Sequence, residues 1–185
     1  LNNKFQSDVP LMLMNSFRTH SITERIVGLS MGATKVMSFC QNWYPRLLDD
    51  DSGFLNPLKF NLDAWYPPGH GDLYSCLLDK GYIDDLLKEG REYLFISNSD
   101  NLGATVDLKI LNFIINNEIP FLMEVASKTE VDTKGGVLCQ NKKQIKLLEI
   151  ADVPPEHIPE FCGTDKFNFF NTNNIWINLV QIKKL

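Results

Sequence analysis

The chain has 185 residues, of which 44% are hydrophobic and 22% charged, with a formal net charge of −5. That is ordinary globular composition, long enough for one well-packed domain and short for two. The acidic balance gives no electrostatic drive toward nucleic acid or an anionic membrane, though it is compatible with a local phosphate site. No apolar run reaches the roughly 18 residues that a membrane helix needs. The four cysteines (Cys40, Cys76, Cys139 and Cys162) lie more than 20 residues apart. Such spacing provides neither a zinc motif nor a redox pair, and points to reduced, mostly buried thiols in a cytoplasmic protein. The chain begins at Leu1 rather than at a methionine, and its first residues resemble neither a targeting segment nor a native start.

In chain order, the apolar run in "VPLMLMNSF" (9–17) reads as a buried strand and "SITERIVGLSM" (21–31) as a helix capped by Ser21 or Thr23. "TKVMSFCQ" (34–41) is a second strand. Residues 42–64 look irregular, with "LLDDDSGFLNP" a surface loop and its acidic run a solvated one. "GDLYSCLLDKGYIDDLLKEG" (71–90) predicts one or two helices, entered at Asp72 and left at Gly90. The strand "EYLFISNSD" (92–100) leads to the amphipathic helix "TVDLKILNFIINNE" (105–118) and the strand "PFLMEVAS" (120–127). "GGVLCQ" and "QIKLLEIA" form a hairpin across "NKK". "PPEHIPEFC" (154–162) is a short helix opened by proline, and "FNFFNTNNIWINLVQIKKL" a strand, a turn and a final helix or strand. Strands alternating with helices predict an α/β domain, a mostly parallel mixed sheet flanked by helices, with ligands beyond the carboxyl ends of the strands.

Two stretches concentrate chemistry. In "FISNSDNLGATVD", a strand ends in Ser97-Asn98-Ser99-Asp100-Asn101 before Gly103 and a helix. A carboxylate at that position can hold Mg²⁺ while phosphates complete the coordination. Alternatively, Asp100 and Asn101 simply make a polar turn and cap the helix. In "WYPPGHGDLY", Pro67 and Pro68 stiffen the approach, Gly69 and Gly71 permit positive φ or close backbone approach beside His70, and Asp72 can cap the next helix. Backbone N–H groups and an imidazole near a helix start suit an anion or sugar hydroxyls. The competing account is a rigid loop whose histidine satisfies a carbonyl.

Weaker features remain. Lys134-Gly135-Gly136 could expose amides to a ligand, although glycine pairs before strands are common. Glu149 sits among apolar neighbours in "LLEIADVP", where a carboxylate must face out, pair, or bind something. The asparagines of "FFNTNNIW" offer donors and acceptors for sugar hydroxyls, or an ordinary turn. His20 and His157 fall in polar contexts without an evident partner, and no Ser-His-Asp, Cys-His or zinc motif is readable.

Taken together and in order, "VPLMLMNSF", "FCQNWYPRL", "WYPPGHGDLY", "SNSDNLGATVD", "MEVASKTEVDTKGG", "LLEIADVP" and "FNFFNTNNIWINL" resemble the central catalytic domain of the UTP–glucose-1-phosphate uridylyltransferases, also called UDP-glucose pyrophosphorylases. "YPPGHGD" and "DNLGATVD" are specific to that family, and "FNTNNIW" separates it from the related N-acetylhexosamine enzymes. The resemblance implies a Rossmann-like nucleotidyltransferase domain. Its reaction would join UTP and glucose 1-phosphate into UDP-glucose and pyrophosphate with Mg²⁺, in the cytoplasm. It further implies that Gln41 contacts uracil, that Gly69 lies against the nucleotide, and that His70 reaches the sugar or phosphate. Asn98 would sit by the sugar nucleotide and Asp100 would bind Mg²⁺, making His70 and Asp100 the catalytic pair. Gly135 or Gly136, Glu149 and Asn173 would line the glucose pocket, along with His70.

The family's glycine-rich nucleotide loop has no counterpart in "LNNKFQSDVP". The phosphate-side lysine and the β-helix used for homo-oligomer formation would follow after "IKKL". The expectation is a partial catalytic domain over residues 1–185 that has little activity alone. The alternatives are an inactive nucleotide-sugar-binding paralogue and a UDP-sugar pyrophosphorylase of broader specificity.

Overall fold

The structure is a computed structural model that describes residues 1–184 except 31, 33, 50–52, 133, 134 and 143. The chain forms two compact units, residues 1–85 and 86–185.

In the first unit, α1 (Asn2–Phe5) precedes β1 (Leu11–Asn15), α2 (His20–Ser30) and β2 (Val36–Cys40). β1 and β2 pair in parallel from Leu11↔Val36 to Asn15↔Cys40, with α2 as the crossover that a parallel pair requires. The helix starts at His20, so Ser21 and Thr23 lie inside it instead of capping it. The preceding turn is closed by the Ser16 N–H donating to Thr19 Oγ1 at 3.0 Å. The segment read as irregular contains β3 (Tyr44–Pro45), α3 (Pro57–Phe60) and a 3-10 turn at Asn61–Ala64. β3 pairs antiparallel with β4 (Trp65–Tyr66), and Trp43 stacks between Phe17 and Trp65 at 5.4 and 5.2 Å. Of the acidic run at 48–51, Asp49 is exposed, while Asp50 and Asp51 lie outside the described residues. The helical stretch is two helices, α4 (Asp72–Asp79) and α5 (Tyr82–Lys88). Gly81 separates them with φ +74°, a conformation glycine adopts without penalty. The boundary between the units falls within α5. Phe39, Ala64, Cys76, Leu77 and Ile83 form the buried core of this unit.

The second unit runs β5 (Tyr93–Ile96), α6 (Leu108–Asn116), β6 (Phe121–Ser127), then β7 (Val137–Asn141) and β8 (Gln144–Leu148). α7 (Ile158–Cys162), β9 (Phe169–Asn178) and α8 (Leu179–Ile182) follow. β7 and β8 form the expected antiparallel hairpin, although Lys143 of its "NKK" turn lies outside the described residues. β9, read as a strand and a turn, is one ten-residue strand, and it organises the sheet. β5 and β6 both pair antiparallel with Ile175–Ile177 of β9 and therefore flank it. β7 meets β9 at Val137↔Phe170.

β5–α6–β6 is thus the parallel-running strand–helix–strand unit that alternation implies, with β9 inserted between its strands. The α/β class stands, but the expected predominance of parallel pairing does not. Among the described ladders only β1–β2 is parallel. The reason is topological: local hydrophobic pattern carries no record of a distant strand entering a gap. Phe95 stacks on its cross-strand partner Trp176 at 4.6 Å, and Ile114, Val137, Phe161, Ile175, Ile177 and Leu179 complete the core. No helix among the described residues is long and apolar enough to cross a membrane.

Candidate functional site

In the first unit the site grows from the carboxyl ends of the parallel pair. The Gln41 N–H donates to the carbonyl of Asn15 at 2.8 Å, which carries the chain past the end of β2. Buried Asn15 donates from Nδ2 to Ser38 Oγ at 2.9 Å, and His20 Nδ1 lies 3.4 Å away. His20 is therefore half-buried beside that amide, contrary to the expectation of an unpartnered residue. Gln41 Oε1 accepts from the Gly69 N–H at 2.7 Å, bringing two predicted residues together. Gly69 has φ +95°, and no heavy atom lies within 4 Å of where a Cβ would stand. The loop thus presents a bare backbone face beside the glutamine amide. His70 is exposed, and its carbonyl accepts from the Leu73 N–H at 3.1 Å. Among the described residues its imidazole makes no hydrogen bond, which disfavours the carbonyl-satisfying account.

Two expectations about this loop need correction. Gly71 has φ −61°, so only Gly69 of the pair uses glycine's freedom. Asp72 does not cap α4 with its side chain. It turns back, accepting from Asn42 N at 2.6 Å, Asn42 Nδ2 at 3.0 Å and Cys76 Sγ at 3.2 Å. Burial pushes its carboxyl pKa up, but the hydrogen bonds from Asn42 and Cys76, with the charge of Lys80, outweigh burial and leave it below the ordinary value. Burial and the adjacent carboxylate push the Cys76 thiol up. A hollow lined by Tyr44, Tyr66, Pro68, Gly71, Asp72 and Ser75 opens beside the loop.

In the second unit, β5 ends at Ile96 and the polar loop follows. The Asn101 N–H donates to the Asn98 carbonyl at 3.2 Å, and Asn101 Oδ1 accepts from the Gly103 N–H at 3.1 Å. The helix beyond is capped by Asp107, which accepts from the Lys109 N–H at 2.7 Å. The turn account is therefore right for Asn101, and the capping account is not. Asp100 is exposed at the tip, and its carboxylate has no partner among the described residues.

β9 carries a bulge opposite this loop. Glu124 pairs with Asn174 and Val125 with Asn171, leaving Thr172 and Asn173 without a partner in β6. Asn173 takes φ +57°, which asparagine tolerates better than most residues. Bulges re-aim side chains; here Asn173 Nδ2 donates to Asn98 Oδ1 at 2.6 Å. The Asn98 amide nitrogen and the Asn173 amide oxygen have no hydrogen-bond partner among the described residues.

The hairpin contributes the rest. The Asn171 N–H donates to the Gly136 carbonyl at 2.8 Å, and Asn171 Oδ1 accepts from the Asn173 N–H at 2.8 Å. Gly136 lies directly beneath the Glu149 carboxyl: a Cβ there would stand 2.7 Å from Glu149 Cδ. Gly135 packs against the Phe170 ring, 3.1 Å from its would-be Cβ. Glu149 is exposed just beyond β8, and its carboxylate has no partner among the described residues. Asn98, Gly136, Glu149 and Asn173 are thus linked by successive contacts, and Lys134 lies outside the described residues. Among the described residues no cluster of three or more His, Cys, Asp and Glu side chains could hold a metal by itself. His157, expected to lack a partner, is 3.6 Å from Glu160 on the surface.

Sequence reasoning missed Glu124. Its carboxylate accepts from Trp176 Nε1 at 2.6 Å and Asn174 Nδ2 at 3.2 Å, and its carbonyl accepts from Thr172 Oγ1 at 2.7 Å. The signal was available, since a lone carboxylate in "PFLMEVAS" raises the same question as Glu149. Asn42 and Asn15 could not be found that way, because polar residues at or just past strand ends are ordinary.

The family model for UTP–glucose-1-phosphate uridylyltransferase matches residues 1–185. A curated UTP–glucose-1-phosphate uridylyltransferase from Musa acuminata is 50% identical over 188 residues, covering 100% of this chain and 40% of the relative. The crystal structure of UDP-glucose phosphorylase from Trypanosoma brucei matches with a TM-score of 0.88 at 38% identity, over 99% of this chain and 42% of that one. A mutant UDP-glucose pyrophosphorylase from Leishmania major, in complex with UDP-glucose, matches with a TM-score of 0.86 at 31% identity, over 99% and 42%. The chain belongs to the UTP–glucose-1-phosphate uridylyltransferase family, with a nucleotidyltransferase fold. It spans about 40% of the length of the curated relatives it matches.

Proposed function

We propose that the protein carrying this chain transfers uridylyl from UTP to glucose 1-phosphate, releasing pyrophosphate and forming UDP-glucose. The observation that carries the reading is that a chain matched by the family model over residues 1–185 holds the Gln41–Gly69 contact in its first unit and the Asn98–Asn173 pair in its second. With Gln41 Oε1 occupied by the Gly69 N–H, its amide nitrogen is left to donate to a uracil carbonyl. The absent Cβ at Gly69 lets a planar base lie against the backbone. His70 donates to a phosphate or sugar oxygen. Asn98 and Asn173 offer donor and acceptor to the nucleotide sugar, and the Glu149 carboxylate accepts from glucose hydroxyls, with Gly136 giving it room.

In the transfer a phosphate oxygen of glucose 1-phosphate attacks the α-phosphorus of UTP in line, the bond to the β-phosphate breaks, and pyrophosphate leaves. Catalysis then rests on positioning and on charge neutralisation. Asp100 fits Mg²⁺, because that ion is commonly held by one or two carboxylates with phosphates and waters. It would neutralise charge on the phosphates. The wide spacing of the four cysteines, which is not that of a disulfide scaffold, supports a cytoplasmic location.

The test is Asp100→Asn in the whole protein carrying this chain. Loss of that charge should slow UDP-glucose formation by at least about a hundredfold, equivalent to roughly 3 kcal/mol, with an unchanged melting temperature. Full turnover by the variant would refute the reading.

A further inference from the structure

Glu124 lies at one end of a chain of side-chain amides that reaches the loop carrying Asp100. Trp176 Nε1–H can only donate, and it donates to Glu124 Oε1. The other carboxylate oxygen accepts from Asn174 Nδ2, so the Asn174 carbonyl faces away and accepts from Asn101 Nδ2 at 3.2 Å. The Asn101 carbonyl in turn accepts from the backbone N–H of Gly103. Both termini are fixed donors and the carboxylate accepts only. No single amide can flip without setting donor against donor or acceptor against acceptor. Glu124 also grips the bulge on both flanks, with its carbonyl on Thr172 and its carboxylate on Asn174, and Asn173 lies between.

We propose that Glu124 is a positioning residue. Its carboxylate sets the direction of the Trp176–Glu124–Asn174–Asn101–Gly103 chain, and so holds both the Asp100 loop and the Asn173–Asn98 pair in the geometry that receives the nucleotide sugar. This rests on the function proposed above. Groups that orient primary ligands are commonly worth ten- to a hundredfold in affinity or activity.

Direction makes the proposal testable. In Glu124→Gln, the new amide nitrogen confronts Asn174 Nδ2. If Asn174 flips, its nitrogen confronts Asn101 Nδ2, and if Asn101 flips the Gly103 turn is lost. In Asn101→Asp, a carboxylate oxygen confronts the Asn174 carbonyl. The double variant Glu124→Gln/Asn101→Asp reverses the middle of the chain with every group satisfied. Trp176 then donates to the carbonyl of the amide introduced at position 124, and the nitrogen of that amide donates to the Asn174 carbonyl. Asn174 Nδ2 and the Gly103 N–H both donate to the carboxylate introduced at position 101.

The experiment measures UDP-glucose affinity by calorimetry without metal, together with kcat and melting temperature, in the whole protein. Each single variant should weaken UDP-glucose binding and lower kcat by about ten- to a hundredfold, and the double variant should recover UDP-glucose affinity to within about threefold. Single variants that behave as wild type, or a double variant that shows only the sum of the two losses, would overturn the proposal. Should Glu124→Gln fail to fold, Asn101→Ala removes the two outer links, to Asn174 and to Gly103, and leaves those of Glu124 intact; it should stay folded yet bind UDP-glucose less tightly, and wild-type affinity would overturn the proposal. Asp100→Asn serves as the reference. Full activity there refutes the site, whereas its inactivity beside a wild-type Glu124→Gln refutes the role of Glu124 alone.

Discussion

Replacing Asp72 by alanine removes a carboxylate that is only 8% exposed and on which three donors converge, two from Asn42 and one from Cys76. Hydrogen bonds to a buried charge contribute about 1.5–3 kcal/mol each, and a buried donor left unpaired costs about 1–3 kcal/mol. Because the three bonds share one group, the losses overlap, and the expected total is about 3 kcal/mol rather than the sum. For a domain of this size that is a melting-temperature drop of roughly 6–12 °C. Asp72→Asn retains one acceptor and, if the Asn42 amide turns, two hydrogen bonds; its expected cost is about 1 kcal/mol.

The two variants differ more sharply in acid. The folded-state pKa of Asp72 lies below its unfolded value near 3.8. The folded protein therefore binds fewer protons at this group than the unfolded chain. The resulting stability is fully present above the unfolded pKa, and it is lost as pH falls through the folded value beneath it. Melting curves of wild type, Asp72→Asn and Asp72→Ala, followed from neutrality to about pH 2.5, test this window. Wild type should converge on Asp72→Asn as the pH falls below the unfolded value. An Asp72→Ala variant that melts with wild type at neutral pH would refute the reasoning, as would wild-type and Asp72→Asn curves that stay parallel throughout.

Gly136→Ala should displace the Glu149 carboxyl, since the added Cβ would stand 2.7 Å from its Cδ and 2.8 Å from Oε2. A flexible exposed side chain yields cheaply, so the expected outcome is a melting temperature near wild type with a KM for glucose 1-phosphate raised about tenfold or more; an unchanged KM separates Glu149 from the sugar. At Asn173, with φ +57°, Asn173→Gly and Asn173→Ala should weaken UDP-glucose binding equally, because both lose the amide. Only the alanine should also cost about 1 kcal/mol of stability for its left-handed backbone, and equal melting temperatures for the two variants would show that the bulge does not depend on that conformation.

What the sequence disclosed and what it withheld divide along a physical line. "SNSDN" and "PPGHGD" were legible because several residues with unusual backbone or coordinating capacity fall together; the observed contacts join Gly69 to Gln41, which only the family resemblance had singled out, and Asn98 to Asn173 of the asparagine run. The elements were legible for the same reason of locality, since α6 and the β7–β8 hairpin follow from periodicity and turn residues within a dozen positions. The place of β9 was not legible, because which strand fills the gap between β5 and β6 is decided by packing across more than 70 positions of sequence, as the Phe95–Trp176 pair illustrates. Once β9 sits there, the rest is forced. Antiparallel pairing sets "NTNN" opposite "SNSDN", the two-residue bulge is the only slack in the β6 ladder, and Asn173 turns from the ladder toward Asn98. Glu124 was overlooked because its partners come from the far strand. A carboxylate in an apolar run announces that it needs donors, but only the sheet order says that Trp176 and Asn174 supply them. The asparagines that read as an ordinary turn are thus the seam where the late strand meets the Asp100 loop, and this is why Asn173, the candidate site residue of "TNNIW", stands between Thr172 and Asn174, both held by Glu124.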